Sequence, residues 1–111
     1  MTAPLSLSGE SLVHSNPFME IRHTKAHFSN FQKDYFVVHF GPRAGVVAVR
    51  DESILLIRQY RFLQNCLSWE IPGGKVNEFE SPDIAAAREC YEETGVTPRN
   101  LKKLEIGRAH V

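Results

Sequence analysis

Between Gly74 and Gly95 the chain concentrates charge in a spacing that few conformations accommodate. Glu80 follows Gly74 after five intervening residues, Arg88 and Glu89 follow Glu80 after seven, and Glu92-Glu93 stand two residues beyond, just before Thr94 and Gly95. Offsets of three and four place Glu89, Glu92 and Glu93 on one face of a helix. Like charges at that spacing repel, by roughly 0.2–0.5 kcal/mol per pair on an exposed helix. Such carboxylates either stay in water or share a cation. An oxygen-only donor set, with neither His nor Cys in it, suits Mg²⁺ or Mn²⁺ better than zinc.

The flanking residues predict where this helix begins and ends. Ser81 suits the N-cap, Pro82 the first helical position, and Asp83 the positive end of the helix dipole. IAAARECYEE is rich in helix formers, and Gly95 is placed to stop it. Upstream the pattern is that of strands: imperfect alternation from Phe18 to His27, the β-branched and aromatic run DYFVVHF ended by Gly41-Pro42, then Ala44 to Val49 and Ile54 to Tyr60 with RDES as the turn of a hairpin. Leu67 to Ile71 forms a further short strand, with Pro72, Gly73 and Gly74 expected to halt it. Residues 1–16, rich in Ser, Thr and Pro without a sustained period, are expected to be a mobile arm.

Gly74, Glu80, Arg88, Glu89, Glu92, Glu93 and Gly95, with Val96 as a closing apolar residue, resemble the signature box of the Nudix hydrolases. Cys90 departs from the pattern, since the family usually has a larger aliphatic residue there, which bears on packing rather than chemistry. The resemblance implies an α/β Nudix fold: a mixed, largely antiparallel sheet with a loop-helix-loop box, here incomplete at the C-terminus. It implies a catalytic and metal-binding role for Glu89, Glu92 and Glu93, with Glu89 and Glu93 the principal ligands and Glu92 a further one, direct or through water. The carbonyl of Gly73 resembles the family's backbone ligand, and Glu80 with Arg88 a supporting pair that holds loop against helix. The implied reaction is Mg²⁺- or Mn²⁺-dependent hydrolysis of a diphosphate linking a nucleoside to another group. In relatives that act on ADP-ribose the general base often comes from a loop well after the box.

The segments RQYRF and WEIPGGKV narrow the resemblance to the ADP-ribose and nucleoside-diphosphate-sugar pyrophosphatase branch. There the arginine matching Arg61 commonly contacts phosphate or ribose; a salt bridge at the strand end is the alternative reading. Arg58 is expected on the sheet surface. ADP-ribose, cleaved to AMP and ribose 5-phosphate, is the leading substrate; GDP-mannose, NADH, a dinucleoside polyphosphate, or a non-catalytic ligand-binding module are the alternatives. Members of the branch exchange N-terminal strands between two subunits and bind adenine from the partner. The implied organisation is thus an arm at 1–17, a strand extension at 18–41 serving a homodimer, and a truncated Nudix domain at 42–104. Phe18, Phe28 and Phe31 in or beside that extension are expected as core or interface filling, with base stacking the alternative.

Thirteen Lys and Arg balance thirteen Asp and Glu, so no global field favours nucleic acid or an acidic membrane, and an anionic ligand needs a local site. Cys66 and Cys90 form no C-x-x-C pattern and are expected to be reduced. The N-terminus lacks the basic start and apolar core of a signal peptide, and AGVVAV and ILLI are too short to span a bilayer, which makes the cytoplasm the default compartment. His23 and His27, on one strand face without a carboxylate or cysteine partner in the local pattern, read as packed or exposed rather than metal-binding, and Trp69 reads as core. The last seven residues, EIGRAHV, are what GAG ATC GGA AGA GCA CAC GTC encodes, a string that resembles a sequencing-library adapter. Residues 105–111 are therefore expected to be an artefact, with the natural reading frame diverging after about Leu104.

Overall fold

The computed structural model describes residues 2–104. The reading of EIGRAHV lies outside them. The chain divides at Gly41/Pro42 into two compact units.

The first unit is a three-stranded antiparallel sheet in the order β1-β2-β3: β1 (Ser6–Ser15), β2 (Glu20–His27) and β3 (Gln32–His39). The expected mobile arm is thus corrected: Leu5 N–H donates to the His27 carbonyl, and β1 pairs with β2 along its length. What hid β1 is its irregularity. Register shifts between Ser8 and Glu10 and between Leu12 and His14 break the period-2 alternation, and Gly9 takes φ +55° at the first of them. His23 does have a carboxylate partner, Asp34 from β3, with Nε2 and Oδ1 2.8 Å apart. This hydrogen bond holds Asp34 below the usual carboxylate range. Phe28 and Phe31 stack on one another at 4.5 Å between centroids.

The second unit holds the remaining strands and the helix: β4 (Arg43–Gly45), β5 (Val49–Arg50), β6 (Ser53–Ile54), β7 (Ile57–Arg61), β8 (Cys66–Glu70), β9 (Gly73–Lys75) and α1 (Pro82–Thr94). β4 pairs with β9, β5 with β6 and β7 with β8, all antiparallel. The run expected as one strand from Ala44 to Val49 changes partner midway: Val46 N–H donates to the Pro72 carbonyl, whereas the Ala48 carbonyl accepts from Leu55 N–H. Ile54 to Tyr60 divides for the same reason, with Ile54 facing Val49 and Ile57 facing Glu70. β8 ends at Glu70, ahead of Pro72 as expected, and Gly73-Gly74 then open a separate strand, β9. Gly73 is required there, because a Cβ on it would stand 2.6 Å from the Ala44 carbonyl oxygen.

Helix α1 begins and ends where its caps predict. Gly95 adopts φ +76° and donates its N–H to the Tyr91 carbonyl at 2.8 Å. The core beneath the helix is small: Val46, Ala86 and Cys90, with Ala44 and Leu55 packed around them. Cys90 is fully buried and free, and Cys66 is exposed and free. Trp69 is 64% exposed rather than core, and the Arg58 guanidinium lies over its ring at 5.5 Å. On the exposed face of β8, Trp69 packs against its cross-strand neighbour Arg58 and borders a shallow hollow with Ile54, Leu55 and Leu56. Among the described residues no helix is long and apolar enough to cross a membrane.

Candidate diphosphate site

The β4–β9 register determines which backbone groups the site can use. Val46 N–H to Pro72 carbonyl and Val76 N–H to Pro42 carbonyl are ladder bonds, so the alternate pairs Gly45–Gly73 and Arg43–Lys75 are non-hydrogen-bonded positions. At such positions the amide and carbonyl point away from the partner strand. Gly73 N–H accordingly reaches the Glu93 carboxylate at 3.3 Å, and the Lys75 carbonyl accepts from Arg88 Nη2 at 2.9 Å. The Gly73 carbonyl is directed off β4 by the same geometry.

Parity also assigns the faces of this ribbon. Ala44, Val46, Gly74 and Val76 lie on one face, where Val46 packs beneath α1. On that face Gly74 has no side chain, and the Glu89 carboxylate occupies the space a Cβ would take. Glu89 and Glu93, one helical turn apart, thus stand against consecutive glycines of β9. Glu92 lies outside this pair, directed to Arg88.

Arg88 is the hub of the segment. Its Nε donates to Glu80 Oε2 at 2.8 Å and its Nη2 to Glu80 Oε1 at 2.9 Å, a bidentate pair. Nη1 reaches Glu89 Oε1 at 3.1 Å and Glu92 Oε2 at 3.2 Å. Glu80 also accepts from Asn77 N–H at 3.1 Å. The guanidinium first, and this amide second, hold the Glu80 carboxyl down at about 2, while Glu80 holds the Arg88 guanidinium firmly protonated. The loop from Lys75 to Glu80 is thereby tied to the helix at two points.

Among the described residues no three His, Cys, Asp or Glu side chains converge closely enough to hold a metal ion. The donor chemistry nevertheless fits a hard divalent cation: two carboxylates, Glu89 and Glu93, beside a backbone carbonyl, that of Gly73, which the register leaves outside the ladder.

Beside Gly73 opens a cleft of about 250 Å³, lined among others by Arg43, Gly45, Gln59, Arg61, Glu70 and Gly73. Arg61 lines it as a strand-end residue, bound through Nε and Nη2 to both oxygens of Glu70, with Nε to Oε2 at 2.7 Å, and through Nη2 to Gln59 at 3.2 Å. Arg61 thus makes the strand-end salt bridge while bordering the cleft. Glu70 is the site residue that sequence reasoning missed. The register sets the two at opposite ends of the β7–β8 pair, Arg61 opposite Cys66 and Glu70 opposite Ile57, and the long Arg61 side chain runs back past Gln59 to reach the carboxylate.

The fold is similar to that in the crystal structure of an ADP compounds hydrolase, with a TM-score of 0.67 over 86% of this chain and 52% of that one, at 23% identity. The chain is 36% identical over 100 residues to a CMP-5'-(N-acetyl-N-hydroxy-3-aminopropyl)phosphonate hydrolase of Streptomyces rubellomurinus, covering 86% of this chain and 48% of that protein. It is 41% identical over 73 residues to an ADP-ribose pyrophosphatase of Bacillus subtilis, 65% of this chain and 39% of that one. An RNA pyrophosphohydrolase of Histophilus somni is 35% identical over 69 residues, 62% and 34% of the two chains. The chain thus spans half or less of the length of these curated relatives. Residues 39–110 match the NUDIX domain model, and with the box residues gathered on α1 and β9 as described, the chain belongs to the Nudix family.

Proposed function

We propose that this chain carries the metal-binding half of a hydrolase that cleaves the diphosphate of a nucleoside diphosphate linked to another group, with ADP-ribose, split to AMP and ribose 5-phosphate, as the preferred substrate. The observation that carries the reading is the placement of Glu89 and Glu93 against Gly74 and Gly73, at the rim of a cleft that holds Arg61. Similarity to the Bacillus subtilis ADP-ribose pyrophosphatase supports the choice of substrate.

Glu89, Glu93 and the Gly73 carbonyl would hold Mg²⁺ or Mn²⁺, with Glu92 as a further ligand. Such an ion would supply charge neutralisation for the diphosphate and a more acidic water. The protein's own part is positional. Arg88 and Glu80 fix the loop and so the carboxylates. Glu70 and Gln59 orient Arg61 toward the cleft. The catalytic contribution of Glu89, Glu92 and Glu93 is to keep the reacting diphosphate and the ion in one geometry.

The first unit belongs to the same proposal as a strand extension that pairs two copies into a homodimer and brings residues 18–41 to the partner's ligand. Exposed Phe36 and Val37 on β3 supply apolar surface for it. A small-molecule substrate in the cytoplasm completes the reading, supported by the balanced charge of the chain. A substrate panel tests it, with phosphate release coupled to a phosphatase and with ADP-ribose, GDP-mannose, NADH, a dinucleoside polyphosphate and 5′-triphosphorylated RNA compared. ADP-ribose is expected to give the highest kcat/KM. An RNA or a second nucleotide matching it would remove the substrate assignment, and sedimentation as a monomer would remove the dimer.

A further inference from the structure

The cleft beside Gly73 holds two arginines in different electrostatic situations. Arg61 is ion-paired with Glu70 through two donors, so its charge is compensated before any ligand arrives. Arg43 makes no ion pair among the described residues. Instead it faces another cation. Arg43 and Lys75 are directly opposed in β4–β9, at a non-hydrogen-bonded position where side chains come closest. Like charges so opposed are destabilising unless an anion lies between or above them. The next pair along the same face is Gly45–Gly73, which adds no side chain of its own, and the Ile71 side chain packs at the Gly45 position. A guanidinium with the fork geometry for bidentate binding thus borders the cleft, next to the amide edge that meets Glu93.

We infer that Arg43, backed by Lys75, is the phosphate-recognising group of the cleft, and that Arg61, held by Glu70, serves the neutral hydroxyls of the same ligand; this rests on the proposed diphosphate substrate. A compensated guanidinium remains a hydrogen-bond donor but offers little net charge to a phosphate. An uncompensated one offers both.

The test uses the full chain with inorganic pyrophosphate as the probe, titrated in EDTA and low salt and followed by NMR chemical shifts into the millimolar range. Arg43→Gln is expected to weaken binding about tenfold or more, Arg43→Lys by less, and Arg61→Gln by less than about threefold. Arg61→Gln is expected instead to raise KM for the intact substrate. Loss of pyrophosphate binding in Arg61→Gln with retention in Arg43→Gln would overturn the assignment, as would a wild-type protein that binds no pyrophosphate. Arg43→Lys keeps the charge and the exposed position, so it separates recognition from folding. If pyrophosphate binding follows the expected order while no substrate of the panel is hydrolysed, the phosphate assignment stands and the hydrolase reading fails.

Discussion

The carboxylate of Glu89 rests so close to the α-carbon of Gly74 that a methyl group placed there would come within 2.6 Å of both its oxygens. The glycine is therefore a spatial requirement of the glutamate. Because the atoms it would strike are the far end of a flexible side chain, Gly74→Ala is expected to leave the fold intact and swing Glu89 away. Metal affinity should drop by about ten- to a hundredfold, in line with the loss of a supporting contact at a metal site. Unchanged Mn²⁺ binding in a variant with native circular dichroism would contradict this placement.

Removing the cation, or the groups proposed to hold it, has a separate signature. EDTA is expected to abolish ADP-ribose turnover, and Mg²⁺ to restore it. Glu89→Gln and Glu93→Gln should each lower kcat on the order of a hundredfold or more, and Glu92→Gln by less, because Glu92 stands apart from β9. Equal losses at all three positions would show that Glu92 joins the other two when the metal binds.

Arg88 reaches Glu80 through two parallel donors, which a lysine cannot reproduce. Arg88→Lys and Arg88→Ala are therefore expected to lower the thermal midpoint by similar amounts, several degrees each. A full rescue by lysine would mean that charge alone, without the fork geometry, ties the loop to the helix.

The same pair gives a pH dependence. The folded-state pKa of Glu80 is depressed to about 2 from an ordinary 4.5, chiefly by Arg88. The stabilisation is therefore complete above 4.5 and is lost as pH falls through the interval down to about 2. The difference in thermal midpoint between the wild type and Glu80→Gln should be constant from neutral pH to about 5 and shrink toward zero by about 2. A difference that stays constant throughout this range would show that Glu80 is not held by Arg88 in solution.

Cys90 is fully buried against Val46 and Ala86. A larger aliphatic residue there would press on Val46 and Ala86. Cys90→Leu is expected to cost about 1–3 kcal/mol in chemical denaturation. A neutral or stabilising outcome would reveal slack in this small core.

What could be read in advance follows from how local each cause is. α1 was legible because Ser81, Pro82 and Gly95 act within a turn of themselves, and the Glu80–Arg88 pair because the box carries it. β1 was not, since two bulges scramble its alternation, and its pairing with β2 is a tertiary fact. Pro72-Gly73-Gly74 reads locally as a breaker. Only the approach of Ala44 and Gly45 shows why glycine opens a new strand there. His23–Asp34 depends on the β2–β3 register and Arg61–Glu70 on a side chain that runs the length of the β7–β8 pair, and no single-strand pattern reveals either.

The alternation in β9 has a consequence for how this segment can change over time. Only odd-numbered residues, 73 and 75, present their backbone to the helix, while the even-numbered Gly74 makes way for a carboxylate. A single inserted or deleted residue in either β4 or β9 inverts that parity, turning the amide for Glu93 and the carbonyl for Arg88 into the ladder together. Lineages can lengthen the turns on the way from β4 to β9, but these two strands themselves tolerate slippage only in steps of two.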